Sequence, residues 1–346
     1  MRAIVKVAPG VGGLEWRDWP DPELRPGQVI VEIERGGICS TDVAIYDGSY
    51  KGRRPLLFPT MLGHEAAGSV VAAADDVDVP VGARVGLQVI WGHPHAAESL
   101  LGYENLDSDW IHIGASALGG TFAERIAMPA ERLVLLPDNV TWDQAALLEP
   151  LSVAANAMDL ITVRPGETFV TVGPGPFALL MIQIARAAGA AHIVAIGLAG
   201  VDDHRLEVAR AVGADDVVSF DGDAASTTEA VQSILGGRGA DVVVDAGGTP
   251  ESTSLALDVA GSAGRVAVFG FTREARIEPL RQIIRKGLSL FGVSAAARRH
   301  YGIALRMIER GVVDPTAIVS HRLDLRDVEE GIRLVHSRVA AKVLLT

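Results

Sequence analysis

The sequence predicts an α/β protein with two domains, a compact β-barrel-like domain followed by a doubly wound parallel sheet. Three observations support this fold class. With 346 residues, the chain is long enough for two domains. Its first half, to about residue 150, carries short strand patterns separated by Gly and Pro turns. From about residue 153 strands and helices alternate, which is typical of a parallel sheet with helical connections.

Composition and charge exclude several kinds of partner. The net formal charge is −12, so nothing favours binding to nucleic acid or to an anionic membrane. No apolar run reaches the about 18–20 residues that a bilayer-spanning helix needs. Residues 1–7 are too few and too charged for a signal peptide. The single cysteine cannot form an internal disulfide, so we expect a cytoplasmic protein.

The strand patterns of the first half follow one another along the chain. Residues 29–34 alternate apolar and polar side chains, and residues 68–73 and 82–90 have the composition of buried or half-buried strands. Helical patterns are scarce until Thr141, which can cap a short helix. We assign residues 1–152 to this first domain.

The second half is organised around a glycine turn that joins a strand to a helix. The turn matches the dinucleotide-binding pattern G-x-G-x-x-G/A at Gly173, Gly175 and Ala178. Gly173 permits the tight turn, and Gly175 lets backbone N–H groups approach a pyrophosphate. Ala178 lets the helix pack on the strand, and Pro176 suits the first helical turn. Such turns also occur without a nucleotide, so the motif alone leaves a purely structural role open.

Strand and helix patterns alternate on both sides of this turn. Candidate strands lie at residues 168–172, 192–196, 216–219, 241–245, 265–269 and 288–293, and candidate helices at 178–188, 203–212, 227–235 and 252–259. We assign residues 153–293 to a dinucleotide-binding domain. The tail, residues 294–346, has two helical runs and a final strand, and we expect it to return to the first domain.

Three pieces of the first domain offer metal ligands: the only cysteine, Cys39, the pair His64 and Glu65, and Glu149. A thiolate, an imidazole and a carboxylate are ligands that zinc accepts in a catalytic site with one open position. Spacing alone does not decide for a metal. A lone cysteine is often a core residue, and the acids could lie at a turn or a helix end.

Taken with these residues, the chain resembles the zinc-dependent medium-chain dehydrogenases, the superfamily of alcohol, sorbitol and threonine dehydrogenases. The resemblance is carried by Cys39-Ser-Thr41-Asp42, Gly63-His64-Glu65, residues 119–124, residues 148–151, the glycine turn and residues 245–249. These motifs are spread over nearly the whole chain. The resemblance implies a GroES-like catalytic domain, a Rossmann domain and an enzyme that oxidises or forms alcohols.

The same resemblance implies a role for each residue of the first-domain motifs. The ligands of one catalytic zinc would be Cys39, His64 and Glu149. Glu65 would be a nearby acid that can move onto the metal. Asp42 would hold the second nitrogen of the His64 ring, and Thr41 would hydrogen-bond the substrate hydroxyl. A glutamate as third ligand is similar to the polyol and threonine dehydrogenase branch.

For the cofactor, the resemblance implies contacts from the glycine turn and from positions further along the chain: Gly173, Gly175, Pro176, Ala178, Gly197, Arg205, Gly247, Phe271 and Ser294. NAD-specific members place an acid about 20 residues past the turn. Residues 195–199 contain no acid, which leaves room for a 2′-phosphate. Arg205 could bind that phosphate, or it could be a solvated charge at a helix start. Both NAD and NADP therefore stay open.

The chain departs from the family pattern at two places. Many members bind a structural zinc with four cysteines, and the corresponding positions here hold His93, Ala96, Ser99 and Asp107. We expect no structural zinc and a lobe held by packing alone. Ala44 stands where many members have a histidine that passes the proton to solvent. The proton must then leave through ribose hydroxyls, water or another residue.

We predict a zinc-dependent oxidoreductase that transfers hydride between NAD(P) and a secondary alcohol of a polyol, sugar or amino alcohol. Residues 291–301 are similar to the sugar 1-dehydrogenases, so an aldose is an alternative substrate. A zinc-free reductase and a non-catalytic nucleotide-binding relative are alternatives of another kind. Pocket candidates beside the zinc include Tyr46, Ile90 and Trp91. The superfamily also implies a homodimer or homotetramer.

Overall fold

The computed structural model describes residues 1–52, 55–115, 119–269 and 280–346. The chain divides into two compact units. The first unit comprises Met1–Ser152, Ala295–Gly311 and Val319–Thr346, and the second comprises Val153–Ser294 and Val312–Ile318. Most of the tail therefore groups with the N-terminal residues, while one short tail segment groups with the second unit.

The strands as far as Ser152 are β1 (Arg2–Lys6), β2 (Leu14–Asp18), β3 (Gln28–Ile38), β4 (Thr60–Met61), β5 (Glu65–Ala73), β6 (Arg84–Leu87), β7 (Ile90–Trp91), β8 (Ile111–His112), β9 (Arg125–Pro129) and β10 (Leu133–Leu135). The helices of this part are α1 (Ser40–Tyr46), α2 (Ala97–Leu100), α3 (Trp142–Ala146) and α4 (Leu148–Ile161), which runs past Ser152.

The second unit contains β11 (Thr168–Val172), α5 (Pro176–Ala187), β12 (His192–Leu198), α6 (Asp203–Ala211), β13 (Asp216–Phe220), α7 (Ala224–Ile234), β14 (Ala240–Asp245), α8 (Pro250–Val259), β15 (Ala260–Val268), α9 (Leu280–Lys286) and β16 (Ser289–Gly292). The tail adds α10 (Arg298–Glu309), β17 (His321–Leu323), α11 (Val328–His336) and β18 (Val343–Leu345).

Antiparallel pairing builds most of the first unit. Strand β3 is central, since it pairs with β5, β9 and β18 in a sheet of order β10-β6-β5-β3-β18-β17. Alternate residues of β3, Val29 and Val31, are fully buried in an apolar core together with Val85 of β6. The last strand, β18, pairs Val343 with Ile38, directly before Cys39. The end of the chain therefore supports the segment that carries the cysteine.

Six parallel strands form the sheet of the second unit, in the order β13-β12-β11-β14-β15-β16. Counted from β11, this is the order 3-2-1-4-5-6 of doubly wound dinucleotide-binding sheets. The strand order reverses between β11 and β14, and ligands bind at the carboxyl ends of strands at such a point. The predicted fold class, with its barrel-like and doubly wound parts, is confirmed.

Helix α1 is an element that the sequence pattern does not predict. It has seven residues, of which Thr41, Val43 and Ile45 are β-branched and weaken a helical pattern. The helix begins because the Asp42 carboxylate turns back and accepts a hydrogen bond from Cys39 N at 2.9 Å. Such a contact stabilises a first turn that propensity alone would not form.

Buried polar contacts hold the lobe, which we define as residues 92–109. The Asp107 carboxylate accepts hydrogen bonds from His93 N at 2.7 Å and Asp109 N at 2.9 Å. The Glu104 carboxylate accepts from Gln88 Nε2 at 2.8 Å, Arg132 Nη1 at 2.8 Å and Arg298 N at 2.7 Å. The expectation of packing alone was wrong, because a sequence pattern does not show which carboxylates become buried.

We expect Glu104→Gln to destabilise the first unit by about 1–3 kcal/mol, because it removes the negative charge that pairs with the buried Arg132 guanidinium. Burial raises the pKa of Glu104, but the hydrogen bonds from Arg298, Gln88 and Arg132 hold it below its ordinary value. The charged form therefore stabilises the fold above the unfolded-state pKa, and this contribution is lost as the pH falls through the lower folded-state pKa.

Urea unfolding at pH 7 and near pH 4 tests this prediction. The difference between wild type and Glu104→Gln should be large at pH 7 and smaller at the acidic pH. Glu131→Gln is the matched control, because Glu131 pairs with the same Arg132 at 3.1 Å but is 67% exposed. A control as destabilised as Glu104→Gln would contradict the role of burial.

Candidate functional site

The first candidate site begins where β3 ends and α1 starts. Cys39 is the N-cap residue of α1. Its Sγ atom lies 3.8 Å from Thr41 Oγ1. Its backbone N–H donates to Asp42, as described above. The structure thus brings together the thiol, the hydroxyl and the carboxylate of this motif.

His64 lies on the other side of the Asp42 carboxylate and is buried. Asp42 Oδ1 lies 3.5 Å from His64 Nδ1 and accepts a hydrogen bond from Gly63 N at 3.1 Å. Burial raises the pKa of Asp42, but the His64 ring and two backbone donors hold it below its usual range. Burial lowers the pKa of His64, while the Asp42 carboxylate and the Cys39 thiol raise it well above its usual value. The Asp42 carboxylate thus faces Nδ1 of the ring, which leaves Nε2 for a metal.

The ligand atoms of three residues converge at this place. Those of Cys39, His64 and Glu65 all lie within 4.8 Å of one another. Within the described ranges of the chain, no other trio of His, Cys, Asp or Glu side chains comes this close. A thiolate, an imidazole and a carboxylate, two of them on buried residues, form a donor set that fits zinc.

Glu149 lies next to this group without belonging to it. It is buried in the first turn of α4. Burial and the charge of Glu65 raise the pKa of Glu149 to about 7, although His64 counteracts them. Glu149 therefore lies close enough to His64 and Glu65 for their charges to change its pKa. The predicted roles had Glu149 as ligand and Glu65 as neighbour, and which carboxylate takes the metal stays a prediction.

Lys342 is a residue of this site that sequence reasoning missed. Its Nζ forms an ion pair with Glu65 Oε2 and donates to Ile38 O at 2.9 Å. The two side chains are 2% and 1% exposed. Burial lowers the pKa of Lys342, but the charges of Glu65 and Cys39 raise it more, so the lysine stays charged. A lysine before a terminal strand gives no sign in the sequence that it is buried.

His112 is a second missed residue. Its ring centroid lies 5.1 Å from that of His64, with the two ring planes at 71°. Burial, together with the nearby His64 charge, lowers the pKa of His112 to about 3. A single histidine outside any motif carries no signal that would have identified it.

The glycine turn of the second unit forms the second candidate site. Gly173 has φ +90°, and a Cβ there would lie 2.9 Å from the Cα of Gly247. The turns that follow β11 and β14 therefore approach each other closely. Gly175 is the N-cap of α5, Pro176 is its first residue, and a Cβ on Gly175 would meet nothing within 4 Å. Open space before a helix N-terminus of this kind fits a pyrophosphate.

The other predicted cofactor residues lie in different surroundings. Gly197 lies in β12, and a Cβ there would come within 3.0 Å of Asp202. Arg205 is buried, with its Nη1 3.9 Å from Asp202 Oδ1, so it is not the solvated charge that the sequence allowed. Ser294 is partly buried in the second unit. Phe271 lies outside the described residues.

Comparison with known proteins decides the family. A model described as zinc-binding dehydrogenase matches residues 176–310, and a model described as alcohol dehydrogenase GroES-like domain matches residues 25–138. An L-threonine 3-dehydrogenase from Anaeromyxobacter sp. (strain K) is 30% identical over 355 residues, which cover 100% of this chain and 98% of that relative. The chain belongs to the zinc-dependent medium-chain dehydrogenase superfamily. The resemblance inferred from the sequence is confirmed.

Other members of the superfamily match this medium-chain dehydrogenase over nearly its full length. A sorbitol dehydrogenase from Halalkalibacterium halodurans is 29% identical over 100% of this chain and 99% of its own. An alcohol dehydrogenase from E. coli CFT073 complexed with NADH has a TM-score of 0.90 and 25% identity, covering 100% and 99% of the two chains. A zinc-binding dehydrogenase from Sinorhizobium meliloti bound to NADP has a TM-score of 0.87 and 27% identity, covering 99% and 98%.

These findings confirm an NAD(P)-linked dehydrogenase of the alcohol dehydrogenase type, with a GroES-like and a Rossmann part. Zinc dependence follows from the family. Among the described helices of the medium-chain dehydrogenase, none is long and apolar enough to cross a membrane.

The close approach of Gly173 to Gly247 predicts a strong effect of Gly173→Ala in this medium-chain dehydrogenase. We expect cofactor affinity to fall at least about tenfold, because the Cβ must displace backbone and the φ angle is unfavourable by about 1–2 kcal/mol. Titration with NADH or NADPH by fluorescence measures the loss. Gly166→Ala is the control, since Gly166 has φ +88° with nothing within 4 Å of its Cβ position. Equal affinity losses in the two variants would contradict the prediction.

Proposed function

We propose that this chain transfers hydride between NAD(P) and a secondary alcohol of a polyol, sugar or amino alcohol, with the substrate oxygen at one zinc in the first unit. The observation that carries the proposal is the convergence of the Cys39, His64 and Glu65 ligand atoms within 4.8 Å. The names of the two relatives, threonine and sorbitol dehydrogenase, support an amino alcohol or a polyol as substrate class.

The residues of the site would divide the work as follows. Zinc supplies Lewis-acid stabilisation of the substrate oxygen when bound, and NAD(P) exchanges the hydride. Cys39 and His64 hold the metal, and Asp42 keeps the His64 ring in place through Nδ1. Thr41 Oγ1, 3.8 Å from Cys39 Sγ, can accept the proton of the substrate hydroxyl while it passes its own proton on to a cofactor ribose hydroxyl or to water.

Charge balance supports Glu149 as the third proposed ligand. The Lys342 ammonium pairs with Glu65 and offsets its charge. The charges of Cys39 and Glu149 would then balance that of a divalent cation. Glu65, within 4.8 Å of both Cys39 and His64 ligand atoms, would be the acid that can replace Glu149 or a departing substrate oxygen. The lobe residues His93, Ala96, Ser99 and Asp107 lack the cysteines of a structural zinc site, so we propose a single zinc per chain.

Absorbance of the reduced nicotinamide tests this function directly. Polyols, aldoses and β-hydroxy amino acids should be offered with NAD⁺ and NADP⁺ in parallel, before and after treatment with a zinc chelator. We expect chelator-sensitive turnover of one class of secondary alcohol. Turnover that survives complete removal of the metal would favour a zinc-free reductase. No turnover and no bound zinc would favour a non-catalytic nucleotide-binding relative.

The same assay separates the two cofactors. Residues 195–199 contain no acid that would exclude a 2′-phosphate, whereas Asp202 already lies beside the Arg205 guanidinium that would bind it. If Arg205 binds the phosphate, Arg205→Ala lowers kcat/KM for NADP⁺ more than for NAD⁺. An equal effect on both cofactors would show that Arg205 does not bind the 2′-phosphate.

A further inference from the structure

His112 lies beside the proposed zinc ligand His64, on a strand that belongs to none of the three zinc motifs. Strand β8 ends at His112, and the antiparallel pair β7–β8 sets His112 opposite Ile90. The His112 ring is 5.1 Å from the ring of His64 and 5.8 Å from that of Trp110, measured between centroids. The imidazole is therefore held at the metal site by a short two-stranded ribbon.

The Nε2 atom of His112 is buried and has no hydrogen-bond partner within the described part of the chain. Such an atom loses its hydrogen bonds to water without gaining others, which destabilises the fold unless a ligand satisfies it. An imidazole nitrogen can donate to or accept from a hydroxyl, an amine or a carboxylate. The atom is thus suited to a polar group that arrives with the substrate.

The apolar surroundings of His112 would make its Nε2 atom select for a ligand with a polar group over one with an alkyl group. Its chain neighbours Ile111 and Ile113 and its cross-strand partner Ile90 belong to an apolar cluster that also includes Trp91. A polar atom in an apolar wall favours a ligand that hydrogen-bonds to it and disfavours one that offers an alkyl group there. His112 would therefore distinguish a polar substituent from an alkyl substituent next to the reacting carbon.

We propose that His112 is a substrate-positioning residue whose Nε2 hydrogen-bonds a second polar group, adjacent to the carbinol that reacts. The inference rests on the proposed function, since it assumes that the substrate oxygen lies at the metal beside His64. It assigns to His112 the recognition of the hydroxyl or amine beside the reacting carbon, and it predicts a preference for vicinal diols and vicinal amino alcohols over simple secondary alkanols. The ring separation of 5.1 Å allows one small molecule to reach both places.

The test compares 2,3-butanediol with 2-butanol, which differ by one hydroxyl. In the wild type, kcat/KM for the diol should exceed that for 2-butanol, and His112→Leu should reduce this ratio by about 10- to 100-fold. His112→Gln should restore much of the ratio, because an amide can replace the ring nitrogen as a hydrogen-bond partner. His95→Leu is the matched control, since His95 is an exposed histidine of the lobe and its replacement should leave the ratio at its wild-type value.

A binding measurement gives a readout that does not depend on turnover. In the presence of reduced cofactor neither alcohol can react, so tryptophan fluorescence, to which Trp110 contributes, reports binding alone. We expect tighter binding of the diol in the wild type and not in His112→Leu, with equal zinc content in both. Equal ratios and equal binding in the two proteins, with chelator-sensitive turnover intact, would overturn this inference and leave the proposed function standing. Absence of both zinc and turnover in the wild type would overturn both.

Discussion

Cys39→Ala is expected to give a folded protein that holds no zinc and turns over at least about 1,000-fold more slowly. The substitution removes the one thiolate of the site. It leaves the start of α1 intact, because the Asp42 carboxylate bonds to the backbone N–H of residue 39 and not to the thiol. Circular dichroism, metal analysis and the nicotinamide assay together separate loss of the metal from loss of the fold.

Ser40→Ala is the matched control for this variant. Ser40 is the exposed neighbour of Cys39, and its Oγ lies 3.9 Å from the Cys39 Sγ. Removal of this hydroxyl should leave zinc content and turnover close to the wild type. If Cys39→Ala kept full activity, the proposed zinc site would be wrong, whatever the control showed.

Lys342→Met should lower the free energy of unfolding by about 3–5 kcal/mol, the second large effect that we expect. The Glu65 carboxylate is 1% exposed and would lose the ammonium that offsets its charge. Met fills a volume similar to that of the lysine stem, so the loss reports the charge more than the packing. Thermal unfolding measures this loss of stability. The protein must be metal-free, since bound zinc would otherwise offset the charge of Glu65.

A second substitution distinguishes charge from packing. In the double variant Lys342→Met/Glu65→Gln, both charges of the ion pair are removed together, so a large part of the stability should return. Glu65→Gln alone leaves the lysine unpaired and should also be destabilised. A double variant no more stable than Lys342→Met would show that the ion pair does not carry the effect.

The fold followed from signals that are local in the sequence. The run of residues 168–172, the glycines of the turn and the helical spacing after Pro176 lie within a few residues of one another. They correctly predicted β11 and the helix α5. The alternation of strands and helices likewise correctly predicted a parallel sheet.

The parts of the site that could not be predicted depend on contacts between distant segments. Glu65 and Lys342 lie far apart in the sequence and meet because β3 pairs with both β5 and β18. His112 reaches His64 through the β7–β8 ribbon, whose two-residue strands leave no periodic pattern. Burial of a charged or polar side chain is decided by such tertiary pairing, which residue type and spacing do not reveal.

Counting the zinc ions bound per chain, in purified wild type and in Cys39→Ala, tests the proposed metal site most directly. The site described here predicts one zinc per wild-type chain, removed by a chelator together with turnover, and none in Cys39→Ala. Two zinc ions per chain would contradict the proposal that the lobe binds no metal. An active wild-type enzyme without zinc, or full zinc content in Cys39→Ala, would contradict the site itself.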